Sequence, residues 1–113
     1  SHNALSTLSG LEHNLKLRVL DISSNTISSL VGIGHLKDLV ELWASYNKVV
    51  DFMEVEKELK DKEHLTTVYF EGNPLQLRQP ALYRNKVRLT LPQIQQIDAS
   101  KLALVAQAVK TIY

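Results

Sequence analysis

The stretch LVELWASYNKV, residues 39–49, occurs in two further versions in this chain of 113 residues. The matching stretches are LRVLDISSNTI at 17–27 and LTTVYFEGNPL at 65–75. Each has apolar residues at places one, four, six and eleven, and asparagine at place nine. The asparagines Asn25, Asn47 and Asn73 are separated by 22 and 26 residues. Self-similarity at spacings of this size is the sequence signature of a repeat architecture.

The apolar frame predicts how each repeat is used. Places four and six flank one residue, so their side chains point to the same face of a strand. Together with the asparagine, whose amide both donates and accepts hydrogen bonds, the frame predicts a leucine-rich-repeat solenoid. Its fold class is α/β, with a parallel concave sheet and a C-terminal helical cap. The residues predicted to point inward are Leu20, Ile22, Leu42, Ala44, Val68 and Phe70.

The first repeat is truncated in this pattern. Counting 22 residues back from Asn25 leads to Asn3, so the chain starts inside a repeat, and we assign residues 1–78 to leucine-rich repeats. No capping element precedes the first complete strand, and solenoid units depend on their neighbours for burial. We therefore expect a C-terminal piece of a longer repeat protein. We also expect self-association at the open edge, which would bury Leu20 and Ile22 against a second copy.

Helical periodicity interrupts the repeats once. Phe52, Val55 and Leu59 are spaced by three and four residues with charges between them. This spacing predicts a short amphipathic helix on the convex side. Asp51 followed three residues later by Glu54 is a plausible capping box for it.

The repeat stops after Asn73, and residues 79–100 are predicted to form a cap. Pro80 suits a helix start. Residues 101–113 are predicted to form a C-terminal helix with Ser100 as its N-cap, and they could either pack on the cap or serve a partner. The cap helix would bury the residues at spacing four, Tyr83, Val87 and Leu91.

Strand alternation decides where the single tryptophan points. Because Leu42 and Ala44 point inward, Trp43 points to the concave side. Counting by the repeat places Asp21 and Tyr69 in the same row, with strands about 4.8 Å apart. Exposed aromatic residues on a rigid sheet are frequent anchors of protein interfaces. The alternative is that Trp43 only covers its neighbours and shields the sheet.

Acidic side chains surround this aromatic pair and favour a basic partner surface. We predict a partner-binding site on the concave face. Its residues are Asp21, Glu41, Trp43, Tyr69 and Glu71.

Other chemistries find little support in the composition. The chain has no cysteine and a formal net charge of +1, so we expect no thiolate site and no nucleic-acid or membrane partner. The four histidines are scattered, and we expect no metal, no cofactor and no enzyme. A basic cluster could contact phosphate but is more typical of a solvated face. It consists of Arg78, Arg84, Lys86 and Arg88.

Several stretches resemble a known family. They are SHNALSTLSGLEHNLKLRVLDISSN (1–25), ELWASYNKVVDF (41–52), LTTVYFEGNPLQ (65–76) and YRNKVRLTLPQIQQIDAS (83–100). This combination resembles the leucine-rich-repeat regulatory subunit 7 family of protein phosphatase-1. The resemblance implies a non-catalytic regulator in the nucleus and cytoplasm, whose concave face binds the phosphatase catalytic subunit. Carried over by motif, the binding residues would be Asp21, Glu41, Trp43 and Tyr69.

Two other binding functions remain open from the sequence. A ribonucleoprotein scaffold like the spliceosomal A-prime protein shares the cap motif. A cytoskeletal adaptor, like the leucine-rich-repeat light chain of axonemal dynein, is the other. The acidic concave patch argues against direct RNA contact, because RNA affinity depends on neutralising phosphates with cations.

Overall fold

The protein is described by a computed structural model over residues 16–101, the last two by their backbone only. The truncated first repeat and the helix predicted beyond Lys101 lie outside these described residues. The elements in chain order are β1 (Val19–Asp21), β2 (Glu41–Trp43), α1 (Phe52–Leu59), β3 (Thr67–Tyr69), α2 (Pro74–Leu77), α3 (Pro80–Thr90), β4 (Gln96–Ile97) and β5 (Ser100–Lys101).

The strands form one sheet in the order β1-β2-β3-β4-β5. The first four strands are parallel, and their register pairs Leu20 with Leu42, Leu42 with Val68, and Val68 with Ile97. This α/β arrangement, with each strand beside the next one in the chain, is consistent with a leucine-rich-repeat fold. β5 runs antiparallel to β4 and was not predicted; Ser100, expected as a helix N-cap, lies in this strand.

The residues predicted to point inward are buried. Leu42, Ala44, Val68 and Phe70 have no exposed surface, which confirms the alternation inferred from places four and six. Leu20 and Ile22 of the first complete repeat are only 9% and 4% exposed. Their burial within the chain leaves little apolar surface for a second copy to cover, so burial gives the self-association prediction no support.

The buried asparagines join neighbouring repeats. The Asn47 amide donates hydrogen bonds to the carbonyl oxygens of Ile22 at 2.8 Å and Ala44 at 3.1 Å. Its oxygen accepts a hydrogen bond from the Ile27 N–H at 3.0 Å. Asn73 makes the equivalent set with the repeat before it. The amide thus satisfies backbone groups that would otherwise be buried without partners where the chain leaves each strand.

The residue before each asparagine has a left-handed backbone. Ser24 and Tyr46 have φ of 59°, and Gly72 has φ of 82°. A β-carbon at Gly72 would lie 2.3 Å from the Tyr46 ring, because this ring lies over the glycine backbone. Glycine at this turn therefore meets two requirements, a positive φ and the absence of a side chain. The sequence analysis did not predict this contact.

Helix α1 begins and ends where its periodicity indicated. Asp51 is the N-cap and accepts a hydrogen bond from the Met53 N–H at 2.9 Å. The predicted capping box is wrong in its second half, since Glu54 does not return to the cap. Its carboxylate instead accepts hydrogen bonds from the Leu30 N–H at 2.7 Å and the Ser29 hydroxyl at 3.1 Å. A tertiary contact with the preceding repeat thus replaces the local one.

The helices after β3 follow their prolines. Pro74 opens α2, which was not predicted, and Pro80 opens α3 as expected. Within α3, Tyr83 and Val87 are buried, and Leu91, just beyond the helix, is buried as well. The spacing of four in the sequence therefore identified the packed side of this helix correctly.

A lysine is buried in the core of the described residues. The Lys62 ammonium donates hydrogen bonds to the carbonyl oxygens of Ile33 at 2.6 Å and Leu36 at 3.1 Å, with a third carbonyl at 3.3 Å. Its side chain is 1% exposed. Burial lowers the pKa of Lys62, the nearby charge of Lys37 lowers it further, and Glu58 partly opposes the shift. Lys62 thereby fastens the chain before β3 to the segment between β1 and β2.

Candidate functional site

Two aromatic side chains pair on the outer face of the sheet, the face turned away from the core. The register places Asp21, Trp43 and Tyr69 in one row across β1, β2 and β3, as the sequence predicted. The rings of Trp43 and Tyr69 have centroids 5.7 Å apart and planes inclined by 52°. Tilted pairs of this kind stabilise by about 0.5–1.5 kcal/mol beyond the buried area. Trp43 nevertheless remains 39% exposed, so much of its ring is available to a partner.

The carboxylate of Glu41 also contacts the tryptophan. Glu41 lies two residues before Trp43 on β2, and its side chain therefore emerges on the same face. The indole N–H donates a hydrogen bond of 3.0 Å to Glu41 Oε1. Because this is the only donor of the indole, Trp43 offers a partner its ring surface while the bond persists. The ring is thus oriented before any partner arrives.

The other two acidic residues lie at the border of this face. Asp21 is exposed, and its Oδ1 accepts a hydrogen bond from the Ser23 N–H at 3.0 Å. Glu71 is exposed and lies two residues beyond Tyr69. Its backbone carbonyl accepts a hydrogen bond of 2.7 Å from the Tyr46 N–H. The structure therefore brings the five residues predicted for a binding site to one face of the sheet. We call this set of Asp21, Glu41, Trp43, Tyr69 and Glu71 the outer patch.

Gln96 extends the outer patch onto β4, and the sequence analysis missed it. Its Nε2 donates hydrogen bonds to the Tyr69 hydroxyl at 3.1 Å and to the Asp98 carbonyl at 2.8 Å. The signal was present but weak. Aligning Ile94 and Ile97 with places one and four of the repeat would have put Gln96 beside β3. The asparagine of the frame is absent there, which hid the fourth strand.

Asp98 ends the parallel hydrogen-bond pattern beside Tyr69. Its backbone is left-handed, with φ of 55°. Its Oδ1 accepts hydrogen bonds from the N–H groups of Phe70 at 2.9 Å and Glu71 at 3.1 Å. The Tyr83 hydroxyl of α3 donates to Oδ2 at 3.0 Å. One carboxylate therefore ties α3 to the edge of the sheet on which the outer patch lies.

The pKa of the Tyr83 hydroxyl is strongly shifted in this position. Burial raises the pKa of Tyr83 far above its ordinary value, and the charge of Asp98 and the hydrogen bond to it raise it further. Ionising the hydroxyl would place a phenolate against a carboxylate in a buried site. The hydroxyl therefore stays a hydrogen-bond donor at neutral pH, which suits a structural role.

The four basic residues of the predicted cluster, three in α3 and one just before it, make different contacts. The Arg84 guanidinium donates to the Ile97 carbonyl at 3.3 Å, so it packs α3 against β4. The Lys86 ammonium donates to Gln79 Oε1 at 2.7 Å. Arg78 and Arg88 are exposed. The prediction of a solvated face thus describes two of the four.

Neither a metal site nor a membrane-spanning helix is found in residues 16–101. Within this described range, no group of three or more histidine and acidic side chains could hold a metal ion. No helix in the same range has both the length and the apolarity that a membrane crossing requires. The outer patch is therefore the strongest candidate site in the described part of the chain.

Comparison with known proteins shows where similar sequences occur. No family model matches the chain. Protein phosphatase 1 regulatory subunit SDS22 of Schizosaccharomyces pombe is 65% identical over 65 residues, which are 58% of this chain and 20% of that protein. Human protein phosphatase 1 regulatory subunit 7 is 56% identical over 43 residues, 38% of this chain and 11% of that protein. Cilia- and flagella-associated protein 410 of Mus musculus is 33% identical over 82 residues, 73% of this chain and 32% of that protein.

These matches cover limited parts of the relatives. The chain spans about a fifth of the yeast protein and about a tenth of the human one. These two relatives confirm the resemblance to the regulatory subunits of protein phosphatase 1 that the sequence stretches indicated. This chain is thus similar to protein phosphatase 1 regulatory subunits over part of their length.

Proposed function

We propose that this chain is a non-catalytic protein-binding part of a protein phosphatase 1 regulator, and that it binds the phosphatase catalytic subunit through the outer patch. The observation that carries the proposal is the exposed, pre-oriented pair of Trp43 and Tyr69 with Glu41 beside it. It occurs in a chain that is 65% identical, over 65 of its residues, to a protein named as a phosphatase regulatory subunit.

The geometry of the outer patch suits a protein interface. Tryptophan and tyrosine are enriched among the residues that carry most of the binding energy in interfaces. The contacts of Trp43 with Glu41 and Tyr69 restrict its rotamers beforehand, so less side-chain entropy is lost on association. The carboxylates at the border would attract a basic partner surface and repel an acidic one.

The proposal includes the architecture around the patch. Residues 1–78 would be leucine-rich repeats of a solenoid whose concave side is the outer face, and residues 79–100 would cap it. Two observations support this cap. The Asp98 carboxylate replaces a backbone carbonyl as the acceptor for the Phe70 N–H, and β5 runs antiparallel to the strand before it. A helix within 102–113, one residue shorter than predicted because Lys101 lies in β5, and a nuclear and cytoplasmic location complete the proposal.

A cytoskeletal adaptor is the second candidate. It is favoured by the match of 33% over 82 residues to a protein named as associated with cilia and flagella. Leucine-rich repeats share their apolar frame whatever they bind, so lower identity over a longer stretch is compatible with a shared fold alone. The higher identity to phosphatase regulatory subunits ranks the first proposal above it. A ribonucleoprotein scaffold is disfavoured by the acidic patch and would show a steep loss of RNA affinity with salt.

Calorimetric titration with purified phosphatase 1 catalytic subunit tests the proposal. Trp43→Ala should weaken binding by about 2 kcal/mol or more if the ring is a central anchor. Met53→Ala is the matched control, because Met53 is an exposed apolar side chain of α1 away from the patch. Equal affinities of Trp43→Ala and the unmodified chain would move the site off this face. A chain that does not bind at all would overturn the claim that this part suffices.

A further inference from the structure

A shallow groove lies apart from the outer patch, between the start of α1 and the segment from α2 to α3. Its volume is ≈ 230 Å³, and none of its lining residues belongs to the outer patch. Four apolar side chains, two cations and one amide line it. They are Val50, Phe52, Pro74, Leu75, Arg78, Gln79 and Lys86.

The rim of this groove is positive. The Lys86 ammonium lies 5.5 Å from the centroid of the Phe52 ring and also donates to Gln79. The Arg78 guanidinium is exposed, and within residues 16–101 it makes no hydrogen bond or ion pair. No acidic side chain lines the groove. Between Glu71 and Asp98 the sequence has four basic residues and no acidic one. They outnumber the exposed Asp51, which lies between the lining residues Val50 and Phe52, so the surrounding field favours an anion.

The size of the groove limits what it can hold. Sites for small molecules usually enclose about 300–1,000 Å³, so a groove of ≈ 230 Å³ is small for a cofactor or metabolite. It has room for one or two side chains. A bare phosphate would use the cations but leave the apolar floor of Val50, Phe52 and Leu75 unused. An occupant that matches both features carries an apolar side chain and negative charges together.

We propose that this groove binds a short acidic peptide segment of a partner protein. One apolar side chain of the segment packs on Phe52 and Val50, and its carboxylates pair with Arg78 and Lys86. Charge complementarity favours this occupant, because the rim of the groove is basic and the peptide is acidic. The outer patch, in contrast, is acidic. The two surfaces therefore suit different partner segments, and this inference does not depend on phosphatase binding.

Fluorescence anisotropy of the whole chain with a labelled peptide, Glu-Asp-Phe-Asp-Glu, tests the proposal. Arg78→Glu and Lys86→Glu should each weaken binding about tenfold, which corresponds to about 1.4 kcal/mol. Arg88→Glu makes the same change of charge on an exposed α3 residue that does not line the groove, and it should stay within about twofold of the unmodified chain.

The apolar floor is tested separately. Val50→Asp should weaken peptide binding, whereas Leu89→Asp, at an exposed apolar residue outside the groove, should not. Replacing the peptide phenylalanine by alanine should weaken binding to the unmodified chain by about fivefold or more. Trp43→Ala should leave peptide binding unchanged, which separates this result from any failure at the outer patch.

Four outcomes would overturn the proposal. One is the absence of peptide binding, and another is an equal loss with Arg88→Glu, which would indicate general charge attraction. A third is an unchanged affinity of the alanine peptide. The fourth is displacement of the peptide by phosphatidylserine vesicles or a single-stranded RNA at lower concentration than by unlabelled peptide, which would assign the cations to another class of partner.

Discussion

The indole N–H of Trp43 donates a hydrogen bond of 3.0 Å to the carboxylate of Glu41, two residues earlier on the same strand. The same ring also packs against Tyr69, at 5.7 Å between centroids. Glu41 therefore orients the proposed anchor in addition to contributing negative charge. Charge and orientation can be separated by substitution, because glutamine keeps an acceptor oxygen and alanine removes it.

Trp43 is the only tryptophan, so its fluorescence reports this contact directly. Glu41→Ala should lower the steady-state anisotropy of the indole, because the ring loses its hydrogen bond. Glu41→Gln should retain most of it, and Glu71→Ala, a removal of charge without contact to the indole, should have no effect. A loss of anisotropy in Glu41→Gln equal to that in Glu41→Ala would show that the charge holds the ring.

Removing a buried asparagine should destabilise the fold strongly. Asn73→Ala leaves the N–H of Val49 without its acceptor, and it removes one of the two hydrogen bonds that each of the carbonyls of Ala44 and Phe70 accepts. A buried group left unpaired costs about 1–3 kcal/mol and a lost hydrogen bond about 1 kcal/mol, so we expect a loss of at least about 2 kcal/mol in unfolding free energy by urea denaturation. Asn85→Ala, at an exposed position of α3, should change it by less than about 0.5 kcal/mol. Similar effects of both changes would refute the role of the asparagine.

Tyr46 and Gly72 should be coupled in a double-mutant cycle. Gly72→Ala introduces a β-carbon 2.3 Å from the Tyr46 ring at a φ of 82°, so it should destabilise through both collision and backbone strain. In a Tyr46→Ala background the collision is absent, and the cost of Gly72→Ala should fall by about 1 kcal/mol. The strain of about 1–2 kcal/mol should remain. Additive effects in urea denaturation would mean that the ring moves aside without cost.

The buried hydroxyl of Tyr83 should make the fold sensitive to high pH. Its pKa is raised in the folded chain above the ordinary value of 10.0. The folded state then keeps a proton that the unfolded state loses, so stability is fully present below pH 10 and falls as pH rises above it. Between pH 9 and pH 11 the unmodified chain should lose about 1 kcal/mol more than Tyr83→Phe. Parallel pH dependences of the two proteins would contradict the assignment.

Lys62 should change the pH dependence of stability in the opposite direction to Tyr83. Its pKa is lowered below the ordinary value of 10.5, so the unfolded state binds the proton more tightly than the folded state. Stability therefore rises with pH between the lowered pKa and 10.5. The unfolding free energy of the unmodified chain, measured against Lys62→Met, should increase from pH 8 to pH 10. A difference that stays constant over this range would mean that the folded pKa is not lowered.

Much of the fold follows from local pattern. The positions of Leu42 and Val68 in the core follow from strand alternation, and the bounds of α1 and α3 follow from apolar spacing and from Pro80. The capping box at Glu54 was wrong because a better pair of donors lies in the preceding repeat, Ser29 and Leu30. A local rule cannot include a donor that only the tertiary fold brings near.

The sequence by itself determined the row of Asp21, Trp43 and Tyr69, because a repeated frame and a side-chain period of two fix which residues share a face. Only the tertiary structure decided how the row is held. Gln96 reaches the Tyr69 hydroxyl from a strand without the repeat's asparagine, and Asp98 secures that strand's end through groups 27 and 28 residues away in the chain. Such contacts depend on distances between side chains far apart in sequence, which no periodicity encodes.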